Sequence, residues 1–223
     1  MVAGQTYSER RWPNVKEFNT VLRDWNQAGS TVLLTIVWKA YDRFSAEVLA
    51  QVDCSQDNED LERDITQLFE PNMHEMLTGY EPFYVQHESY EHESRKAAPA
   101  QPPQYDIAFV LYSYPRVKWP LEAKVLRKSN RVAEYVEEIR SNFLTCRYSP
   151  FSSEAAMLGY LLDGDSDIVF KNIEDKGSWK LSQNPDFLDR EHRTSDHNRK
   201  VPEGKSYPAN FRLHHLIFRL RSG

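Results

Sequence analysis

YDIAFVLY at positions 105–112 and WPLEAKVL at 119–126 decide how this chain folds. Each run has strand length and is apolar on both faces. The residues between them, Ser113, Tyr114 and Pro115 included, join the two as a central β-hairpin. In a strand covered on both sides a charge is costly unless it is paired or bound to a metal. Three residues of the hairpin break that rule together: Asp106, Glu122 and Lys124. Residues two apart share a face of a strand, so Glu122 and Lys124 point one way while Leu121, Ala123 and Val125 point the other. A hairpin closing near Tyr114 and Pro115 sets residues of equal parity opposite one another, which brings Asp106 to the same face. Two carboxylates and an ammonium then converge. Such a set suits Mg2+ with room for water and a phosphate, Lys124 orienting the water or neutralising developing charge.

Working outward, Val15, Phe18, Val21, Leu22 and Trp25 recur at helical spacing ahead of Gly29 and predict a helix over 14–29. A second helix is predicted over 31–52 from Leu33, Leu34, Val37, Tyr41, Phe44, Val48 and Leu49. Leu61, Ile65, Leu68 and Phe69 mark a third that reaches towards Leu77, with Pro71 placed to kink or split it. Alternation over 83–90 reads as a strand, and 91–104, with its prolines and alanines, as a flexible loop. Beyond the hairpin, Val132, Tyr135, Val136, Ile139 and Phe143 give a helix over 130–144. AAMLGYLL at 155–162 reads as a buried strand and 167–176 as a helix. The polar stretch 179–205 reads as mostly loop, and 211–220 as a last strand.

Tyr105-Asp106 on one strand and Glu122-Ala123-Lys124 on its hairpin partner resemble the signature of the PD-(D/E)XK superfamily of nucleases, with Tyr105 where the namesake proline stands. The order helix, strand, acid-bearing strand, Glu-x-Lys strand, helix, strand over 59–176 is also similar to that superfamily's core. The resemblance implies an α/β restriction-endonuclease-like fold, a mixed β-sheet flanked by helices. An N-terminal helical extension over 1–58 would precede the core, and a C-terminal loop and strand over 177–223 would pack on it. The implied activity is Mg2+-dependent hydrolysis of phosphodiesters in nucleic acid, DNA before RNA, with Mn2+ able to substitute, as in a restriction or phage-defence endonuclease. Its catalytic set would be Asp106, Glu122 and Lys124, joined by an acid from the preceding helix, Glu62 or failing that Glu59. Asp106, Glu122 and Ala123 would form the metal set. The alternative is a catalytically inactive scaffold or binding subunit of a multiprotein complex. An edge-strand salt bridge between Glu122 and Lys124 is the plainest structural explanation of the motif.

Lys118, Arg127, Lys128 and Arg131 flank the motif and are the expected contacts to a nucleic-acid backbone. A basic excess over 190–221 offers a second phosphate-facing surface, and a solvated charged loop explains it equally well. His197 reads first as a solvated loop histidine and second as an acid-base group, while His214 and His215 face opposite sides of their strand, so only one of them could reach the site. A net charge of −5 argues against a surface coated in basic residues. There is no Gly-x-Ser-x-Gly elbow and no glycine-rich phosphate loop, which argues against a serine hydrolase and a nucleotide-driven ATPase. Cys54 and Cys146 lack metal or redox spacing and read as reduced thiols. The longest apolar run is too short to span a bilayer, which leads to the expectation of a cytoplasmic protein without membrane contact. The apolar N-terminal helices are candidates for docking a protein partner or a second copy, packing on the core being the plainer use.

Overall fold

The computed structural model describes residues 15–27, 29–94 and 101–220. Along the chain run α1 (Lys16–Gln27), α2 (Thr31–Glu47), α3 (Asn58–Glu75), β1 (Phe83–Tyr90), β2 (Gln104–Leu111) and β3 (Lys118–Leu126). Then follow α4 (Ala133–Glu138), β4 (Glu154–Leu161), α5 (Ser166–Gly177), β5 (Ser182–Gln183), β6 (His192–Asn198) and β7 (Asn210–Arg219). The strands make a 7-stranded mixed sheet in the order β1-β2-β3-β4-β7-β6-β5. β1, β2 and β3 form an antiparallel meander; β3, β4 and β7 are parallel neighbours; β6 and β5 extend the far side antiparallel. A parallel neighbour needs a crossover, and α4 supplies it between β3 and β4.

The central strands are buried on both faces because helices cover both. Ile107, Phe109, Leu121, Val125, Leu158 and Phe218 pack with residues of α2 and α3 on one side. Val110, Leu126, Met157, Leu161, Leu213 and Ile217 pack with α4 and α5 on the other. Each such side chain contributes about 1.5–3 kcal/mol by leaving water. Within this layer Gly159 leaves room for its neighbours: a Cβ there would stand 2.7 Å from Ile217 Cδ1 and 2.8 Å from Leu126 Cδ1, and those side-chain ends would have to shift.

Several elements differ from their sequence readings. The second helix ends at Glu47 and is followed by a short 3-10 turn, Leu49–Gln51. The third, capped by the Asp57 side chain, which accepts from the Asp60 N–H, runs through Pro71 unsplit. Proline removes only the bond to the carbonyl four residues back, that of Gln67, which sits on the exposed side. The helix expected over 130–144 is α-helical only over α4 and widens into a π turn, Ile139–Phe143. The stretch read as mostly loop holds β5, β6 and a 3-10 turn, Pro185–Phe187. β6, HRTSDHN, lacks apolar alternation, and its pairing with β7 supplies the backbone bonds that hold it. Of the predicted flexible loop 91–104, residues 95–100 lie outside the described residues, while Glu91 and Glu93 are buried. Helix α2 is part of the main core, and β7 lies inside the sheet between β4 and β6. Among the described residues no helix is long and apolar enough to cross a membrane.

Candidate active site

The ladder between β2 and β3 ends at Ile107 opposite Leu121, and the charged residues begin one step beyond. Past that point the backbone N–H groups of β3 that face β2 need other acceptors. Two carboxylates take them. Asp106 Oδ2 accepts from the Ala123 N–H at 2.7 Å, and Glu62 Oε2 accepts from the Val125 N–H at 3.1 Å. Glu62 hangs from α3, whose apolar face Leu61, Ile65 and Phe69 fixes its height against the sheet. Lys124 Nζ lies 2.8 Å from Glu62 Oε1 and 3.6 Å from Glu122 Oε1. In a strand the N–H and C=O of one residue face the same neighbour, so the Ala123 carbonyl opens into the same gap. β1 is distorted at this level. Its pairing with β2 skips from His87 and Ile107 to Ser89 and Tyr105, and Glu88 between them has φ 50°, a left-handed conformation that costs free energy in a residue with a Cβ.

One ammonium thus faces three carboxyls. Burial holds the Glu122 carboxyl well above the usual carboxylate range, Asp106 adds to the effect, and Lys124 offsets only part of it. Burial likewise raises Asp106, against the pull of Lys124 and the Ala123 N–H, and raises Glu62 to about 7. Burial alone would lower the Lys124 ammonium, yet Glu122, Glu62 and Asp106 together hold it above its ordinary value. All four groups shift upward, towards their protonated forms, because they interact as one set in which a single cation cannot neutralise three acids. The direction of the whole set is a shortage of positive charge.

That shortage fits a divalent cation. Glu122 Oε2 is buried and has no hydrogen-bond partner, as a group reserved for another ligand would be. Among the described residues no three carboxylate, imidazole or thiol groups stand together as a ready metal cage. Mg2+ commonly uses only one or two carboxylates with water and substrate oxygens. The donor set present, Asp106, Glu122 and the Ala123 carbonyl, meets that smaller requirement.

The other sequence-derived residues are spread more widely. Glu59 is exposed in the first turn of α3, so Glu62 is the helix acid at the site. Lys118 is buried at the far end of β3: it donates to the Tyr90 carbonyl and lies 5.9 Å from the Tyr105 ring centre. Burial lowers its ammonium and Glu91 partly restores it, so Lys118 is an internal strut and no rim contact. Arg127 is also committed, tying β3 to the turn before α3 through Asn58 Oδ1 at 2.7 Å, the Cys54 carbonyl at 3.0 Å and the Gln56 carbonyl. Lys128 and Arg131 are exposed just after β3.

Within the basic excess over 190–221 Lys200 is exposed, and four of the arginines are taken in intramolecular pairs. Arg190 binds Asp42, Arg193 binds Asp167, Arg212 binds Asp196 and Arg219 binds Glu191. Arg199 is buried and donates to the carbonyls of Pro208, Ser149 and Ser152, while Arg221 lies outside the described residues. His197 is no solvated loop residue: it sits on β6, 2.6 Å from Ser195 Oγ and edge-on to Trp179. His214 bonds to Ser30 and Glu154, and His215 to Tyr135 and Ser195, so neither joins the Asp106 cluster. Sequence reading passed over Glu138, whose charge raises both Asp106 and Glu122 from α4. It stands three residues after buried Tyr135, and that spacing was the available signal. No protein-family model, curated protein or solved structure matches the chain.

Proposed function

We propose that the chain is a metal-dependent nuclease with a restriction-endonuclease-like core. The observation that carries this reading is the pair of buried, interacting carboxyls, Asp106 and Glu122, where two strands part, with Lys124 3.6 Å from Glu122 Oε1 and Glu122 Oε2 unpartnered. The element order α3, β1, β2, β3, α4, β4 supports it, being the order of the PD-(D/E)XK core. Asp106, Glu122 and the Ala123 carbonyl would hold Mg2+, which when bound supplies Lewis-acid stabilisation of phosphoryl oxygens. The chain's own residues do the rest. Asp106 is oriented by the Ala123 N–H, and the ring of buried acids keeps Lys124 protonated as a fixed positive charge beside the scissile phosphate. Glu62 steers that ammonium and shares its proton load. Of the four cations that flank the motif, Lys128 and Arg131 are exposed and would meet a nucleic-acid backbone.

A second reading has one observation in its favour. The 2.8 Å pair between Lys124 and Glu62 leaves the ammonium already satisfied, as in a binding subunit that has no activity. One experiment separates the two. Purified protein is incubated with supercoiled plasmid, linear DNA and RNA in Mg2+, Mn2+ or EDTA, beside Asp106→Asn protein. Metal-dependent cleavage that the variant lacks is expected. A folded wild type that cleaves none of the substrates in either metal would leave the binding reading in place.

A further inference from the structure

A second site lies on the other face of the sheet. Trp119 belongs to the core layer under α2 and α3, on the side away from Met157 and α4, and it walls a cavity of about 270 Å3. Trp25 from α1 and Phe83 from β1 form two further walls, edge to face with ring centres 6.1 Å apart. Among the described residues Glu154, at the start of β4, is the single charged residue lining it.

Glu154 is held as a carboxylate by a chain of donors. Trp38 Nε1 donates to His192 Nδ1 at 3.4 Å, which leaves the His192 proton on Nε2. That nitrogen lies 3.0 Å from His214 Nδ1, so the His214 proton sits on Nε2, 3.2 Å from Glu154 Oε2. Ser30 Oγ donates to the same oxygen. With the protons placed this way, each N–H of the relay points on towards Glu154. Burial opposes the charge, and the bonds from His214 and Ser30 prevail, holding the carboxyl below its usual value. No lysine or arginine among the described residues pairs with it. Arg212, opposite Glu154 on β7, is taken in two-point contact by Asp196 at 2.8 and 3.3 Å.

An ionised carboxylate with no lysine or arginine bonded to it, at the wall of an aromatic cavity, is the recognition chemistry of an amine. We propose that this cavity binds a small arylalkylamine, its ammonium on Glu154 and its apolar body against Trp25, Phe83 and Trp119. Size agrees, since a cavity of about 150 Å3 admits benzene and the larger volume leaves room for an ammonium-bearing arm. The walls are already fixed: the Trp25 indole N–H is held by Ser152 Oγ at 3.2 Å, and Glu154 by Ser30 and His214. Little ordering cost remains on binding.

Calorimetry with tryptamine tests the site, with indole-3-propionate as the same ring carrying the opposite charge. Saturable one-to-one binding of tryptamine and none of the propionate is expected. Glu154→Gln should weaken tryptamine by about tenfold or more, the equivalent of one good charged contact. Val32 lines the cavity while being 60% exposed, so Val32→Trp should fill the space without disturbing the core and abolish binding. Asp106→Asn should leave tryptamine binding unchanged, which separates this site from the nuclease reading. Equal affinity for both ligands, tryptamine binding that survives Val32→Trp, or no saturable binding below ~1 mM on folded wild type would each overturn the proposal.

Discussion

Glu122→Gln is expected to stabilise the metal-free protein. Glu122 is 5% exposed, its Oε2 has no partner, and its one cation, Lys124, stands 3.6 Å from Oε1. That attraction amounts to about 4–5 kcal/mol at an effective dielectric of 20. Removing a carboxylate from water costs several kcal/mol, Asp106 repels it, and Lys124 is nearer to Glu62. The upward direction of the Glu122 carboxyl says that the unfavourable terms win. A raised folded value penalises the fold once the unfolded carboxyl ionises, so the penalty grows as pH rises above about 4.5. Glutamine keeps the shape and removes that penalty, giving a gain of about 1–2 kcal/mol at pH 8. For a chain of this length each kcal/mol moves Tm by about 2–4 °C. Urea and thermal melts in EDTA and then in Mn2+ measure both halves of the argument. Wild type should gain about 2.7 kcal/mol at a hundredfold excess of Mn2+ over Kd, and the variant little. If Glu122→Gln lowers stability by about 1 kcal/mol or more in EDTA, Glu122 is a structural partner of Lys124 and the reasoning fails. Equal stabilisation of both proteins by Mn2+ would remove Glu122 from the metal set.

Lys124→Met leaves three carboxyls without their ammonium and should cost about 3–5 kcal/mol at pH 8, less at pH 5 where the acids take up protons. An equal loss at both pH values in urea melts would contradict the shared-charge account. His192 is lowered to about 3 by burial and by neighbouring His214. The stability of its buried neutral form is complete above about pH 6.5 and is lost as pH falls from there towards 3. The drop in urea midpoint between pH 7 and pH 5 should therefore be larger for wild type than for His192→Asn. Glu62, raised to about 7, acts in the opposite sense over part of this window and cancels in the difference. Identical slopes would refute the assignment. Phe218 stacks on Tyr41 at 4.1 Å and meets Trp38 and Phe69 edge-on at 5.3 and 5.4 Å. Phe218→Ala should cost about 3–5 kcal/mol and Leu188→Ala, at 66% exposure, under about 0.5. Comparable losses in the same melts would reject that packing order.

Much of the hairpin was legible because strand periodicity is a local property. YDIAFVLY and WPLEAKVL had to be strands covered on both faces, and the parity of a hairpin closed near Pro115 set Asp106 level with Glu122. The helix acid was legible for a similar reason: Glu62 adjoins Leu61 and Ile65, and a helix buried by those residues carries its neighbour to the sheet. What escaped was pairing over long distance. β6 carries no apolar alternation, and its pairing with β7, which spans its whole length, makes HRTSDHN a strand.

The cations divide along the same line. From composition alone Lys118, Arg127, Lys128 and Arg131 are equivalent, as are the arginines of 190–221. A charged side chain finds its partner within a few ångströms in space, whatever the separation in sequence. Lys118 met the Tyr90 carbonyl, Arg127 the turn before α3, and Arg190 met Asp42 from the other end of the chain. The sequence by itself determined which residues turn inward and which acids share a face. Only the tertiary structure decided which cations stay at the surface and which are spent inside. Side-chain direction follows from the local repeat of the backbone, whereas a charge is neutralised by whatever the fold brings beside it.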